Sequence, residues 1–216
     1  VEGAILLAEA HRAGWEVVGQ FVAPTAEPLD VATDVVHRCA AGVVERVSRL
    51  SSSPGLIAVV RRGDAAVVDL TTAAFVVVAD QVSEPGNLGT ILRSAEAAGA
   101  DAVVVTPGTV DVGNDKVVRA SAGAIFHLPT VVATLDEVGA AGLRRVGTSS
   151  HRGSSDRDAD WSGRVAIVMG NEAAGLDDDA AIDDWVRIEH HGRAESLNVA
   201  MAATLLCFDA ARQRSG

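Results

Sequence analysis

The chain has 216 residues, 48% of them hydrophobic, so it is long and apolar enough to build one large core or two smaller ones. A formal net charge of −11 argues against a basic nucleic-acid-binding domain, yet 17 of the 18 cations are arginine, which suits phosphate and base contacts. No apolar run reaches the ~20 residues that a membrane-spanning helix needs. These numbers indicate a globular protein and exclude a disordered or membrane-spanning one.

The two cysteines and the first residue indicate the cellular compartment of the protein and whether its N-terminal part is present. Cys39 and Cys207 stand apart in segments of helical pattern, so we expect neither a disulfide nor a metal site and place the protein in the reducing cytoplasm. The chain begins at Val1 with no basic and apolar signal sequence. We expect a stretch of the protein to be missing upstream.

A small α/β domain is predicted for residues 1–70. The pattern predicts a helix, a strand, a long amphipathic helix and a strand, at 4–13, 17–23, 31–50 and 56–60. A polar turn is expected at 61–64 and a linker at 69–73.

Strand and helix patterns alternate through a second predicted domain, residues 74–216. The predicted strands are 75–79, 101–106, 144–148, 164–169 and 185–188, and the predicted helices are 88–98, 116–122, 135–141 and 197–212. Runs of valine are typical of strands buried on both faces. The alternation predicts an α/β fold with a mostly parallel sheet covered by helices, and the Ser- and Asp-rich segment 153–160 is expected to be an exposed loop.

Three loops follow predicted strands, where parallel sheets bind their ligands. The first, at 80–93, combines a Pro-Gly turn, a helix start and Arg93 one turn into the helix. Gly86 and Gly89 would admit a second backbone or a ligand. The glycines of a dinucleotide site are missing. Alone, this loop fits a tight turn with a surface arginine as well as it fits a binding site.

The second loop, at 170–176, has glycines spaced as in a phosphate-binding loop. Leu176 and Asp177 stand where Lys and Ser or Thr would be required, so a nucleoside-triphosphate site is excluded. The turn places Asn171 and Glu172 at the end of a strand. Glu172 there would be either a partner of the helix dipole or a functional acceptor.

The third loop, at 188–198, leads into the last helix. Ser196 suits the N-cap of that helix, and Asn198 is expected in its first turn. The adjacent His190 and His191 point apart and lack a third ligand, so no metal is expected. An apolar stripe on the helix predicts core or a subunit interface, formed by Leu197, Met201, Thr204, Leu205 and Phe208.

Together the loops resemble the SpoU/TrmH branch of the SPOUT RNA methyltransferases, over roughly residues 75–214. The similar motifs are N-L-G-T-I-L-R at 87–93, M-G-N-E with G-L at 169–176, and an Ile188 to Val199 segment containing E-S-L-N. The segment 116–124 is also similar. More weakly, residues 1–70 resemble the N-terminal RNA-binding domain of ribosomal-RNA members.

The resemblance implies a fold, a cofactor and a reaction. The expected fold is a SPOUT-type parallel sheet with a C-terminal trefoil knot, preceded by the small α/β RNA-binding domain and assembled as a homodimer through the knotted domain. The expected reaction transfers a methyl group from S-adenosylmethionine to a ribose 2′-hydroxyl of structured RNA, with ribosomal RNA favoured over tRNA.

The resemblance also implies roles for single residues. Arg93 would lie nearest the chemistry, and because a guanidinium stays protonated we expect it to clamp phosphate and stabilise developing alkoxide. The other catalytic candidates are Asn87, Glu172, Ser196 and Asn198. The cofactor candidates are Thr148, Met169, Gly170, Asn171, Gly175, Ile188, His190, Ser196 and Leu197. The candidate RNA contacts are Arg93, Arg119 and Ser121.

One departure leaves alternatives open. Glu189 and His190 follow Ile188 where the family usually has Pro and Met, and if Pro shapes the loop or Met packs on adenine, affinity for the cofactor would fall. A non-catalytic RNA-binding protein with a degenerate methyltransferase fold therefore remains an alternative, as does a tRNA-directed methyltransferase. Another α/β nucleotide enzyme, such as a dehydrogenase, is disfavoured by the missing glycines.

Overall fold

The computed structural model describes residues 1–33, 35–61 and 68–215. The chain divides into two compact units, Val1–Ala65 and Ala66–Gly216. The polar turn predicted at 61–64 lies, apart from Arg61, outside the described residues. Within the described ranges, no helix is long and apolar enough to cross a membrane.

The first unit is a three-stranded sheet in the order β2-β1-β3. Its elements are α1 (Ala4–Arg12), β1 (Glu16–Val22), β2 (Val36–Arg38), α2 (Val43–Val47) and β3 (Leu56–Arg61). β1 pairs in parallel with β2 and antiparallel with β3. Leu7 of α1 packs with Val22 and Leu56 of the sheet in one apolar cluster.

The long helix predicted at 31–50 is wrong, because this segment forms β2 and the five-residue α2 instead. Its backbone pairs with β1: the carbonyl of Val35 accepts from the Gln20 amide, and the Cys39 amide donates to Val22. Branched valines favour a strand, and Gly42, with φ of +79°, interrupts any helix. Pairing with the edge of β1 therefore outweighs the amphipathic pattern.

The second unit is a parallel sheet of seven strands in the order β6-β5-β4-β9-β7-β10-β8. The strands are β4 (Phe75–Ala79), β5 (Ala102–Val105), β6 (Thr130–Val132), β7 (Arg144–Thr148), β8 (Ser154–Ser155), β9 (Val165–Met169) and β10 (Asp184–Arg187). The helices are α3 (Pro85–Ala97), α4 (Asp115–Ala120), α5 (Ala124–His127), α6 (Leu135–Ala140) and α7 (Val199–Arg214). The predicted α/β class with a parallel sheet is confirmed.

The predicted valine strands form the centre of this sheet, and every residue of β4, β5 and β9 is buried. Four short elements were not predicted, namely β6, β8, α5 and a 3-10 helix at Asp156–Asp158. Each has two to four residues, too few to show a hydrophobic period. The exposed loop expected at 153–160 is only partly right, because Ser154 and Ser155 pair with β10.

Gly89 of the first predicted loop serves packing between helices. A Cβ at this position would lie 2.4 Å from the Cβ of Ala120 and 2.7 Å from the carbonyl oxygen of Val117. Either a second backbone or a ligand was expected to approach Gly89, and in the structure it is the backbone of α4 that does so. On its other side α3 contacts α7, where the Ser94 and Thr204 hydroxyls lie 2.7 Å apart.

The last helix begins two residues later than predicted, and Asn198 caps it instead of Ser196. The Asn198 Oδ1 accepts from the amides of Ala200 and Met201, at 2.9 and 3.2 Å. The predicted apolar stripe is not core: Met201 is 64% exposed. The buried face of α7 is lined by smaller residues, namely Ala200, Ala203, Leu206, Cys207 and Ala210.

Candidate active site

A cavity of about 490 Å³ lies at the carboxyl ends of β7, β9 and β10. The loops that follow these strands and the start of α7 form its walls, as expected for a parallel sheet. All nine residues predicted to contact a cofactor line it: Thr148, Met169, Gly170, Asn171, Gly175, Ile188, His190, Ser196 and Leu197. Segments up to fifty residues apart in sequence are therefore brought around one volume.

The loop 170–175 is a closed backbone turn. The amide of Asn171 donates to the carbonyl of Gly175 at 3.0 Å, and the reverse bond measures 2.9 Å. The Asn171 side chain donates to the carbonyl of Gln81 at 2.9 Å and accepts from the amides of Ala173 and Ala174. Asn171 therefore fixes the shape of this loop and its position beside the end of β4.

The Glu172 carboxylate holds the segment that leads into α3. It accepts from the Ser83 amide at 3.1 Å, the Ser83 hydroxyl at 2.9 Å, the Glu84 amide at 2.9 Å and the Asn87 Nδ2 at 2.9 Å. Partial burial alone would raise the pKa of Glu172, but these hydrogen bonds together lower it to about 2. Such a group is ionised at neutral pH, is a weak base, and acts here as an anchor.

A single chain of hydrogen bonds connects the three predicted motifs. Asn87 donates to Glu172, and its Oδ1 accepts from the Nδ2 of Asn198 at 3.0 Å. Asn198 in turn caps α7. Asn87, Glu172 and Asn198 are thus occupied in joining α3, the 170–175 loop and α7. Of the predicted catalytic group, Ser196 faces the cavity, as does Glu172.

Arg93 lies outside this chain of hydrogen bonds. It is exposed on α3, is not among the residues that line the cavity, and makes no hydrogen bond or ion pair with any residue that the structure describes. Its guanidinium is therefore available to a group from outside the chain.

The two other predicted RNA contacts differ from each other. Arg119 is paired with Asp115 one turn earlier, at 2.6 Å, and remains partly accessible. Ser121 is completely buried, and its hydroxyl donates to the carbonyl of Val118 at 2.8 Å. Ser121 is therefore wrong as an RNA contact in this fold, because RNA cannot reach it.

The departure from the family motif at Glu189 and His190 is accommodated by local contacts. The His190 ring nitrogens lie 3.1 Å from the carbonyl oxygen of Ile188 and 2.9 Å from that of Ala194. The Glu189 amide donates to Asp156 at 3.3 Å. The ring thus spans the loop between β10 and α7. Among the described residues, no group of three His, Cys, Asp or Glu side chains could hold a metal ion.

One wall of the cavity lies outside the sequence motifs and was not predicted. It is formed by Ser149, His151, Arg152, Asp178 and Trp185. Four of these residues lie in the loops after β7 and β9. The loop after β7 could have been found from the sequence. Ser149 to Arg152 directly follow a correctly predicted parallel strand, and parallel sheets bind ligands at the carboxyl ends of their strands.

The sequence matches the SpoU rRNA Methylase family over residues 74–208, more than half of the chain. The chain belongs to that family. The predicted SpoU/TrmH resemblance is therefore confirmed.

Similar proteins of this family include ribosomal-RNA methyltransferases. A 23S rRNA (guanosine(2553)-2′-O)-methyltransferase, RlmP, of Bacillus subtilis strain 168 is 42% identical over 147 residues, which are 64% of this chain and 58% of that protein. A 23S rRNA (uridine(2479)-2′-O)-methyltransferase of Streptomyces viridochromogenes is 40% identical over 147 residues, 62% of this chain and 51% of that protein. The chain spans just over half the length of these relatives.

Solved structures of the family share the fold. An RNA 2′-O ribose methyltransferase superposes with a TM-score of 0.85 at 33% identity, covering 100% of this chain and 88% of the other. The SpoU methyltransferase AviRb of Streptomyces viridochromogenes, in complex with the cofactor AdoMet, gives a TM-score of 0.84 at 30% identity, covering 100% of this chain and 90% of the other.

The role of Glu172 as an anchor predicts a pH-dependent contribution to stability. Glu172→Gln replaces one carboxylate oxygen with an amide group that cannot accept, so either the Ser83 donors or those of Glu84 and Asn87 lose their acceptor. We expect a loss of about 1 kcal/mol at pH 7, the carboxylate being partly solvent-screened. Because the folded pKa is depressed, the native stabilisation is complete above the ordinary value of 4.5 and is lost as the pH falls towards about 2.

Urea unfolding at pH 7, 4 and 3 would measure this effect as the difference between Glu172→Gln and the unaltered chain. The difference should narrow as the pH falls. Glu84→Gln is the matched control, since its side chain makes no hydrogen bond within the described structure, and it should differ little from the parent at any pH. A Glu172→Gln difference that stays constant from pH 7 to 3 would contradict the assignment.

Proposed function

We propose that this protein transfers a methyl group from S-adenosylmethionine to a ribose 2′-hydroxyl of ribosomal RNA. The observation that carries the proposal is the hydrogen-bond chain Glu172–Asn87–Asn198, which brings the three family motifs together beside one cavity. The names of the relatives support ribosomal RNA over tRNA, and that substrate agrees with the cytoplasmic location expected from the lone cysteines.

The cavity suits the cofactor in size and lining. About 490 Å³ lies in the range of small-molecule sites, and the walls combine apolar side chains such as Ile188 and Leu197 with polar ones such as Ser149 and Ser196. Gly170, Ile188 and Leu197 would hold the nucleoside mostly through their backbone, beside Thr148. When bound, S-adenosylmethionine would supply an electrophilic methyl group at its sulfonium.

The predicted catalytic residues position and stabilise, and none of the five is suited to remove a proton. Glu172 is a weak base because its pKa is about 2, and Arg93 stays protonated. Asn87 and Asn198 fix α3, and with it Arg93, relative to the 170–175 loop. Arg93 would clamp an RNA phosphate and stabilise the 2′-oxygen as its proton leaves to solvent. Positioning of this kind can supply ~7–11 kcal/mol of the barrier.

We propose further that the small α/β unit binds RNA and that the C-terminal segment forms the trefoil knot. The solved relatives cover both units of the chain, which supports a common two-unit organisation. For the knot, the supporting features are the pairing of β9 between β4 and β7 and the return of α7 to pack on α3.

A homodimer through α7 is the proposed assembly, because Met201, Leu205 and Phe208 form an exposed apolar stripe on this helix. Leu205→Glu would place a charge in that stripe, and we expect it to convert a dimer to a monomer in sedimentation at micromolar concentration. Val132→Glu, at an apolar position on the edge strand β6 that is 75% exposed against 48% for Leu205, is the control and should leave the dimer intact. A monomeric parent chain would contradict the proposal.

The test of the proposed function is methylation of unmodified transcripts. The chain should incorporate labelled methyl groups from S-adenosylmethionine into ribosomal RNA and not into tRNA, and mapping of 2′-O-methyl groups should give a single nucleotide. Calorimetry with S-adenosylmethionine distinguishes the proposed enzyme from the alternative, a non-catalytic RNA-binding protein. Failure to bind S-adenosylmethionine would support that rival and contradict the proposal.

A further inference from the structure

Arg152 lies in the cavity wall but outside all three family motifs. Among the described residues that line the cavity, it is the one arginine or lysine. Its guanidinium carbon lies 3.5 Å above the centre of the Trp185 ring, and its Nη1 lies 3.4 Å from Asp178. A permanent positive charge is therefore present where the cofactor is proposed to bind.

The backbone on both sides of Arg152 is fixed. The Ser149 hydroxyl accepts from the amides of His151 and Arg152, at 3.1 and 3.3 Å. On the other side, Gly153 has φ of +101°, and a Cβ there would lie 2.3 Å from the Trp185 carbonyl oxygen, so only glycine lets this loop lie against β10. The loop and the ring beneath the guanidinium are thus held by the same strand.

The present partner of Arg152 is easily replaced. The Asp178 side chain is fully exposed and Arg152 is 41% exposed, so their ion pair contributes little. The contact with the Trp185 ring holds the guanidinium in place, and its N–H groups become available to a ligand once Asp178 is displaced. A fork of this geometry fits a carboxylate in a bidentate manner.

We propose that Arg152, stacked on Trp185, binds the carboxylate of the methionyl part of S-adenosylmethionine and so selects ligands that carry this group. The inference rests on the proposed function, because it assigns one part of the proposed cofactor to one wall of the cavity. The other charged side chains that line the cavity, Glu172, Asp178 and Glu195, are carboxylates, and Glu172 is already held by four donors. Arg152 is therefore the lining arginine that can pair with a carboxylate of the ligand.

Two nucleosides that differ in this group test the proposal by calorimetry. S-Adenosylhomocysteine carries the amino-acid group, whereas 5′-methylthioadenosine lacks it and shares the adenosine and sulfur. We expect Arg152→Gln to lower the affinity for S-adenosylhomocysteine by about 10- to 100-fold, as for a lost charge-assisted hydrogen bond. Binding of 5′-methylthioadenosine should change by less than about threefold, which also shows that the variant is folded.

Arg157→Gln is the matched control, since Arg157 is exposed just beyond β8 and does not line the cavity, and it should leave both affinities unchanged. Arg152→Lys should restore part of the lost affinity for S-adenosylhomocysteine. Equal weakening of both nucleosides, or of neither, in Arg152→Gln would overturn the inference while the proposed function stands. Binding of neither nucleoside by the unaltered chain would overturn the proposed function and the inference with it.

Discussion

Arg93→Ala is expected to reduce the methylation rate by at least about 10²- to 10³-fold, the effect of removing one group that stabilises developing charge. Binding of S-adenosylhomocysteine should stay within about twofold of the parent value, because Arg93 does not line the cavity. The fold should also be unaffected, since Arg93 is exposed and makes no contact with another described side chain through a hydrogen bond or ion pair. Single-turnover kinetics on ribosomal RNA and calorimetry measure the two effects.

Two variants on the same helix make this result specific. Glu96→Ala removes an exposed charge one turn further along α3 and should leave the rate nearly unchanged. Arg93→Lys keeps the charge and loses the planar fork, so an intermediate rate is expected. Unchanged turnover in Arg93→Ala would show that Arg93 has no part in the reaction, and a parallel loss of cofactor binding would show that it acts on the cavity instead.

The sheet and the meeting of the motifs were predictable from sequence for a physical reason. Strands buried on both faces leave valine runs that no other element explains, and the carboxyl ends of parallel strands meet at one edge. Asn87, Glu172 and Asn198 therefore had to come close, although up to 111 residues separate bonded partners. The pattern could not give the order of the bonds between them.

Local chemistry misled wherever two residues offered the same group. Ser196 and Asn198 both carry an oxygen suited to an N-cap, and the bond from Asn198 to Asn87 decides between them. Segment 31–50 has a helical pattern, but part of it, residues 36–38, forms backbone hydrogen bonds with the edge of β1 and becomes a strand. Ser121 carries a polar group in a similar motif, yet α4 turns it inward. Each outcome depends on a tertiary neighbour, which a single sequence does not display.

Arg152 was missed for a different reason. It belongs to no motif, and it stands just before the segment 153–160 that was predicted to be an exposed loop. Its position depends on the close contact between Gly153 and the carbonyl of Trp185, which joins two segments about thirty residues apart. A residue of this kind becomes visible only when the walls of the cavity are known.

Gly170→Ala is expected to destroy cofactor binding, because the added methyl group has no space. Its Cβ would lie 2.4 Å from the carbonyl carbon of Gly175, 2.5 Å from its oxygen and 2.6 Å from the Leu176 amide nitrogen. These atoms are backbone and cannot rotate away, and the two hydrogen bonds between Asn171 and Gly175 hold them in place. The turn must open, which would displace the Glu172 anchor as well.

We expect Gly170→Ala to lower the free energy of unfolding by about 1–3 kcal/mol, as for an overpacked site. The affinity for S-adenosylhomocysteine should fall by more than about 100-fold. Gly113→Ala is the matched control: its Cβ would meet Asp111 at an ordinary 3.4 Å, away from the cavity, so both quantities should change little. Urea unfolding and calorimetry on the same samples separate stability from binding. Normal affinity in Gly170→Ala would mean that the 170–175 turn does not form the wall on which the proposed cofactor site depends.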